Sequence, residues 1–350
     1  MIYNRPYDAA ETPIPDPFAA TRGLKRPCAH GPVMGDILVL NDTAHGIPSE
    51  RCVAALRDRL DDDEVHLARS DSEELDMVPD AEVAVGGDMR DEVLDAADNL
   101  ELFACSSAGV GHLDLDAFRE RDVAVTNASG VHGPNIAEHV LGWLLMITRR
   151  LDEGIRRQER REWRHFQAAG EFNGSRVCVV GLGAIGTTIV ERLSGFDLET
   201  VGVRYTPEKG GPTDEVYGFD DLESALVGVD YLVIACPLTE TTEGLIGADE
   251  LSWLPPHAVL VNVGRGPIVE TDALVGALRG NKLGAAALDV TDPEPLPEDH
   301  ELWTLGNAYI TPHNSGHTPR YWERVADILA RNLDRVAETG AYDDLENQVV

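Results

Sequence analysis

Short apolar runs alternate along most of the chain with longer stretches in which apolar positions recur every three or four residues. From residue 36 the runs are ILVL (37–40), EVHLA (64–68), AEVAV (81–85), ELFACS (101–106) and DVAVTN (122–127), and SERCVAALRDRL (49–60) has the helical period. Apolar runs without internal alternation suit strands buried on both faces of a parallel sheet, with the helical stretches as crossovers. A long helix follows, with Pro134 near its first turn and Ile136, Val140, Leu141, Leu144 and Leu145 at helical spacing. The alternation then restarts at RVCVVG (176–181) and continues through LETVGV (198–203), DYLVIA (230–235), AVLVNV (258–263), LGAAALDV (283–290) and NAYIT (307–311). The pattern predicts α/β architecture with two doubly wound parallel sheets. A final amphipathic helix, Pro319 to about Glu338, has no sheet of its own to cover and is placed back on the first domain, which makes that domain discontinuous.

The length of 350 residues agrees with two domains, and 43% hydrophobic with 26% charged residues is ordinary globular composition. The longest apolar run, Val140 to Ile147, falls far short of a membrane span. Residues 1–34 hold six of the 20 prolines and no apolar period, so a disordered tail is expected, with Met34 as an alternative natural start. The N-terminus has neither the basic start nor the apolar stretch of a secretory signal, which points to the cytoplasm. Cys28, Cys52, Cys105, Cys178 and Cys236 are odd in number and scattered, so neither a disulfide framework nor a zinc site is expected.

Charge changes the picture more. Sixty-two acidic residues against 29 basic ones leave a formal net charge of −33, which excludes nucleic acid as a natural partner. Only Lys25, Lys209 and Lys282 are lysines; high acidity with lysine depletion resembles proteins that work in molar salt, where charge is screened within about 3 Å. Activity is expected to require salt.

Gly181-Leu182-Gly183-Ala184-Ile185-Gly186 follows the strand RVCVV without a gap and enters a helical segment. In that context the first glycine allows the tight turn, the second lets a pyrophosphate approach the backbone, and the third lets helix and strand pack closely. The motif predicts a Rossmann-like dinucleotide-binding domain over 133–315, inserted into a flavodoxin-like substrate domain made of 35–132 and 316–350. About 20 residues on, where an acid would bind the ribose of NAD, the strand ends in Arg204-Tyr205-Thr206 with Lys209 nearby. An arginine there suits a 2′-phosphate, so NADP(H) is the expected coenzyme, with NAD(H) as the alternative.

Three polar groups lie just past the ends of later strands: Arg265 in VNVGRG (261–266), Glu294 in ALDVTDPEPLP (287–297) and His313 in TPHNSG (311–316). With CPLT (236–239) and the glycine motif, these segments resemble the D-isomer-specific 2-hydroxyacid dehydrogenase family in order and spacing. SSAGVGHLDLDA (106–117) resembles its substrate-carboxylate loop, and NIAEHVLGWLL (135–145) its inter-domain and dimer-contact helix. Arg204 departs from the family's usual acid.

The resemblance implies hydride transfer between NAD(P)(H) and a small anionic 2-keto or D-2-hydroxy acid, in a homodimer. His313 would supply the proton to the carbonyl oxygen, with Glu294 as the neighbouring carboxylate that favours the imidazolium. Arg265 would pair with the substrate carboxylate and polarise the carbonyl. Backbone N–H groups of Ala108, Gly109 and Val110 would hold the same carboxylate from the first domain. Further coenzyme contacts are implied along the strand ends, at Cys236, Pro237 and Thr241, at Val263 and Gly264, and at Asp289, Ser315 and Gly316. Asp289 resembles a position near the nicotinamide carboxamide. The formate-oxidising branch of the family lacks a carboxylate at the position of Glu294, which leaves glyoxylate or hydroxypyruvate reduction and phosphoglycerate oxidation as the alternatives, and a dinucleotide-sensing regulator as the alternative of another class. His313 and His317 are four apart, but Asn314 to Gly316 between them and Pro319 after them predict a loop and no metal. Tyr321 and Trp322 fit either a pocket wall or the core.

Overall fold

The computed structural model describes residues 35–350 apart from 42, 45, 61–63 and 166–168. The expected tail over 1–34, with Met34 and Cys28, lies outside the described residues.

In chain order the first half runs β1 (Asp36–Val39), a two-residue hairpin of β2 (Thr43–Ala44) and β3 (Ile47–Pro48), α1 (Glu50–Arg57), β4 (Val65–Leu67), α2 (Asp71–Met77), β5 (Ala81–Gly86), α3 (Asp91–Asp95), β6 (Leu102–Cys105), α4 (Leu115–Arg119) and β7 (Ala124–Thr126). Five of these strands form a parallel sheet in the order β4-β1-β5-β6-β7. That is the flavodoxin-like winding, and the continuous burial of β6 (Leu102 to Cys105) explains why its sequence shows no alternation.

The chain then crosses into α5 (Gly133–Thr148) and α6 (Leu151–Glu159), followed by β8 (Arg176–Val180), α7 (Ala184–Leu193), β9 (Glu199–Val203), β10 (Glu215–Tyr217), α8 (Leu222–Leu226), β11 (Tyr231–Ile234), α9 (Ala248–Trp253), β12 (Val259–Asn262), α10 (Thr271–Arg279), β13 (Ala285–Leu288), β14 (Ala308–Ile310) and α11 (Tyr321–Thr339). The second sheet is parallel with seven strands in the order β10-β9-β8-β11-β12-β13-β14. Strand order reverses between β8 and β11, so a crevice opens beyond their C-terminal ends, where open parallel sheets place ligands.

α5 buries Ile136, Ala137, Val140 and Leu144 against Ile189, Val190 and Leu193 of α7. The two helices approach closely at Gly133, where a Cβ would stand 2.6 Å from Thr188 Oγ1. The helix covers every periodic position and runs to Thr148; Arg150 is then left-handed (φ 53), and α6 continues with none of its residues buried. Leu151, Ile155 and Trp163 are left exposed there, Trp163 entirely.

α11 returns to the first sheet. Its Trp322, Val325, Leu329 and Leu333 share a core with Cys52, Val53 and Leu56 of α1, and Gly340 ends the helix in the left-handed conformation that favours glycine. Tyr321 and Trp322 are core residues: Tyr321 Oη donates to the Ser106 carbonyl and Trp322 Nε1 to the Ile47 carbonyl. The last residues pair antiparallel with β7, through Val349 N to Val125 O at 2.8 Å and a bridge between Thr126 and Gln348, and so cover an edge strand. Cys52, Cys105, Cys178 and Cys236 are buried, and none forms a disulfide with another described residue. Among the described residues no helix is long and apolar enough to cross a membrane.

Candidate functional site

The glycine motif builds a cradle at the turn from β8 to α7. Gly181 has φ +101, and a Cβ there would stand 2.6 Å from the Cys236 backbone; a Cβ on Gly186 would stand 1.8 Å from the Gly181 carbonyl oxygen. Only glycine fits either place. Gly183, the N-cap of α7, has nothing within 4 Å of its Cβ position, so the approach to the helix N-terminus is open. Free N–H groups and the helix dipole there favour a phosphate, and the cradle fits a dinucleotide pyrophosphate. Leu182, Cys236 and Val263 are buried at these strand ends. Burial pushes the Cys236 thiol up to about 11. Ala184, Ile185, Pro237 and Thr241 border the same strand ends, Pro237 and Thr241 being exposed.

At the end of β9, Arg204 Nη1 donates to the Gly210 carbonyl at 2.6 Å, and the guanidinium makes no ion pair with a described carboxylate. Tyr205 is 81% exposed beside it, Thr206 is half-buried and Lys209 is exposed.

Arg265, Glu294 and His313 follow β12, β13 and β14, three adjacent strands whose spacing is about 4.8 Å. The loops lock together: a Cβ on Gly266 would stand 1.9 Å from the Thr291 carbonyl oxygen, so the turn bearing Arg265 rests directly on the segment leading to Glu294. Gly264 also packs against the Cys236 carbonyl, 2.8 Å from its Cβ position. Glu294 Oε1 stands 2.7 Å from His313 Nδ1. Because a carboxylate only accepts, Nδ1 carries a proton toward it, and Nε2 has no described partner. Arg265 is exposed; its Nη1 donates to the Gly264 carbonyl, and no described carboxylate neutralises it.

His313 is left-handed, with φ +53, a conformation that costs a side-chain-bearing residue about 1–2 kcal/mol and persists only when the surroundings hold it. Asp289 does so. Its carbonyl accepts from His313 N at 2.9 Å, its Oδ1 from Asn314 N at 2.9 Å and from Thr311 Oγ1 at 2.6 Å, and its Oδ2 from Ser315 N at 2.9 Å. Burial alone would push this carboxyl up, but the bonds from Ser315, Thr311 and the two backbone amides outweigh it and hold it below the ordinary carboxylate value. A depressed value means that the clamp is fully made above the ordinary carboxylate range and is lost only as pH falls through the lowered one. The family resemblance implies a coenzyme contact for Asp289; in the structure its carboxylate accepts three bonds from the His313 loop, two at Oδ1 and one at Oδ2.

Ala108 and Gly109 are exposed at the end of β6, Val110 is half-buried, and none of the three amides donates to another described residue. No hydrogen bond among the described residues joins this loop to Arg265, Glu294 or His313. The two sheets' loops are linked instead at the crossing, where Asn135 Nδ2 donates to the Ser315 carbonyl at 2.7 Å and His132 Nδ1 lies 3.0 Å from the Gly316 carbonyl. Those two residues and His139 were missed from the sequence; the available signal was polar residues three and four apart on an otherwise apolar helix. Burial is the main cause that holds both histidines below the ordinary imidazole value. No group of three or more His, Cys, Asp or Glu side chains able to hold a metal ion occurs among the described residues.

Comparison with known proteins identifies the family. A family profile described as D-isomer specific 2-hydroxyacid dehydrogenase, NAD binding domain, matches residues 141–315. A glyoxylate reductase of Thermofilum pendens is 36% identical over 251 residues, covering 69% of this chain and 73% of that one. The crystal structure of a D-isomer specific 2-hydroxyacid dehydrogenase family protein from Aeromonas salmonicida superposes with a TM-score of 0.73 at 31% identity, covering 91% of this chain and 99% of the other. A D-isomer specific 2-hydroxyacid dehydrogenase from Xanthobacter autotrophicus, solved with NADPH and MES, superposes with a TM-score of 0.71 at 27% identity, covering 91% and 98%.

Proposed function

Because the chain belongs to the D-isomer specific 2-hydroxyacid dehydrogenase family and is an NAD(P)-dependent oxidoreductase, we propose that it reduces a short 2-keto acid to the D-2-hydroxy acid with NADPH as preferred coenzyme. The observation that carries this reading is the 2.7 Å contact of His313 Nδ1 with Glu294 beside an Arg265 that no described carboxylate neutralises. It leaves one proton donor, after β14, and one anion receptor, after β12, on either side of the β13 end. The coenzyme, when bound along the strand ends from Gly181 to Gly316, supplies the hydride for the carbonyl carbon. His313 delivers the Nε2 proton to the carbonyl oxygen, and in the oxidative direction takes it back. Glu294 keeps Nδ1 protonated and stabilises the imidazolium. Arg265 pairs with the substrate carboxylate through its fork and polarises the carbonyl. The free amides of Ala108, Gly109 and Val110 receive the same carboxylate from the first domain, and closure of the two domains, 35–132 with 316–350 against 133–315, excludes water from the reacting atoms.

Glyoxylate and hydroxypyruvate are the proposed substrates; the likeness to a glyoxylate reductase supports them. A homodimer through α5 and α6 is supported by the exposed Leu151, Ile155 and Trp163, apolar groups that a second copy would cover. The net charge of −33 supports an enzyme adapted to molar salt, where the global field is screened and arginines act at contact.

The coenzyme reading is tested at Arg204. An Arg204→Asp variant is expected to lose NADPH preference by about 10²-fold in kcat/KM relative to NADH, since a carboxylate repels the 2′-phosphate and accepts from a ribose hydroxyl. Paired NADPH and NADH titrations measure it; an unchanged ratio removes Arg204 from coenzyme choice.

A further inference from the structure

One face of α5 reaches the His313 loop at three places. His132, at the helix N-cap, meets the Gly316 carbonyl; Asn135 donates to the Ser315 carbonyl; and His139 Nε2 lies 3.1 Å from Thr311 Oγ1. The spacing of three and then four residues places all three on one side of a helix. Their bonds span the loop from end to end, on either side of His313.

The proton directions are determined by the partners. Thr311 has one hydroxyl proton and donates it to Asp289 Oδ1 at 2.6 Å, so its lone pair accepts from His139 Nε2–H. Arg324 Nη1 of α11 can only donate and meets Asn135 Oδ1 at 2.7 Å, which turns the amide Nδ2 toward Ser315. Asp289 in turn holds the backbone amides of His313, Asn314 and Ser315. The result is a chain of bonds from α5 through Thr311 and Asp289 to the left-handed turn that carries the imidazole.

We propose that Asn135 and His139 are positioning residues for the reaction: α5 is a rack that holds the His313 imidazole at its reacting distance, His139 through Thr311 and Asp289, Asn135 through Ser315. This rests on the reading of His313 as proton donor. Neither residue needs to touch substrate or coenzyme. Their effect falls on the chemical step, because a small misplacement of a proton donor costs rate without costing affinity.

The test compares His139→Leu, which removes the donor, with His139→Gln, whose amide nitrogen replaces Nε2 as donor to Thr311. Thr311→Val breaks the same link from the other side, and Asn135→Asp keeps the Arg324 contact while losing the donor to Ser315. Steady-state kinetics in high salt and NADPH affinity by fluorescence titration are read for each. His139→Leu, Thr311→Val and Asn135→Asp are each expected to lower kcat about tenfold, with KM for the keto acid and NADPH affinity within about twofold of wild type. His139→Gln is expected to recover most of the loss. His139→Leu and Thr311→Val combined are expected to cost no more than the worse single change, as for two members of one link. Wild-type kcat in His139→Leu and Asn135→Asp overturns the proposal, as does failure of His139→Gln to recover or multiplication of the losses in the double variant. His313→Gln in the same series separates the two levels: if it retains full turnover the proton-donor reading fails, whereas if it is inactive and the α5 variants are normal only the rack fails.

Discussion

Replacing His313 by glutamine is expected to lower kcat for keto-acid reduction by about 10² to 10⁴-fold, the range that a positioned general acid contributes. Coenzyme affinity should stay close to wild type, because the glycine cradle and Arg204 lie on other strand ends. Glutamine fills similar space and can still meet Glu294, but it offers the carbonyl oxygen no transferable proton. Glu294→Gln is the companion: it keeps an acceptor for Nδ1 and removes the charge that stabilises the imidazolium, so its rate should fall between wild type and His313→Gln. Single-turnover NADPH oxidation with saturating keto acid measures both; undiminished turnover in His313→Gln assigns the proton to another group.

Arg265→Gln is the second large effect. Charge-assisted hydrogen bonds contribute about 1.5–3 kcal/mol each, and a forked pair to a carboxylate uses two. Loss of the fork should therefore lower kcat/KM by about 10² to 10⁴-fold, mainly through KM, with a further loss in kcat because the carbonyl is no longer polarised. Arg265→Lys keeps the charge but not the planar fork and should recover only part of the KM. Two observations strengthen the expectation: no described carboxylate competes for the guanidinium, and Gly266 packs against Thr291 too closely to let its turn drift. A keto-acid KM that is unchanged in Arg265→Gln would place the carboxylate receptor elsewhere, the amides of Ala108, Gly109 and Val110 being the next candidates.

The parts legible in the sequence are those in which local pattern and tertiary role coincide. Strands such as β11 and β12 are buried at every residue, so their apolar runs are unbroken. The glycine turn is legible because steric demand at 181 and 186 admits one residue type. The polar trio is legible because each member ends a strand. Other features depend on contacts far along the chain and leave almost no local trace. Asn135 and Ser315 are 180 residues apart, His139 and Thr311 172 apart. The strand-like pairing of Val349 with Val125 is invisible for the same reason, since a few residues at a chain end carry no period. The break between α5 and α6 hangs on one left-handed arginine, a residue type with no marked preference for that conformation. Asp289 shows a further limit. Its strand-end place marks it as important, but whether it serves the coenzyme or the loop depends on which donors surround it.

The most direct measurement is oxidation of NADPH and of NADH by the purified protein in molar salt, with glyoxylate, hydroxypyruvate, pyruvate and a longer 2-keto acid in parallel and chiral analysis of the product. The site built by Arg265, Glu294 and His313 predicts turnover that is faster with NADPH, highest with the short keto acids, and a D-2-hydroxy acid as product. Coenzyme binding without turnover of any 2-keto acid would contradict it and assign the fold to sensing the dinucleotide instead.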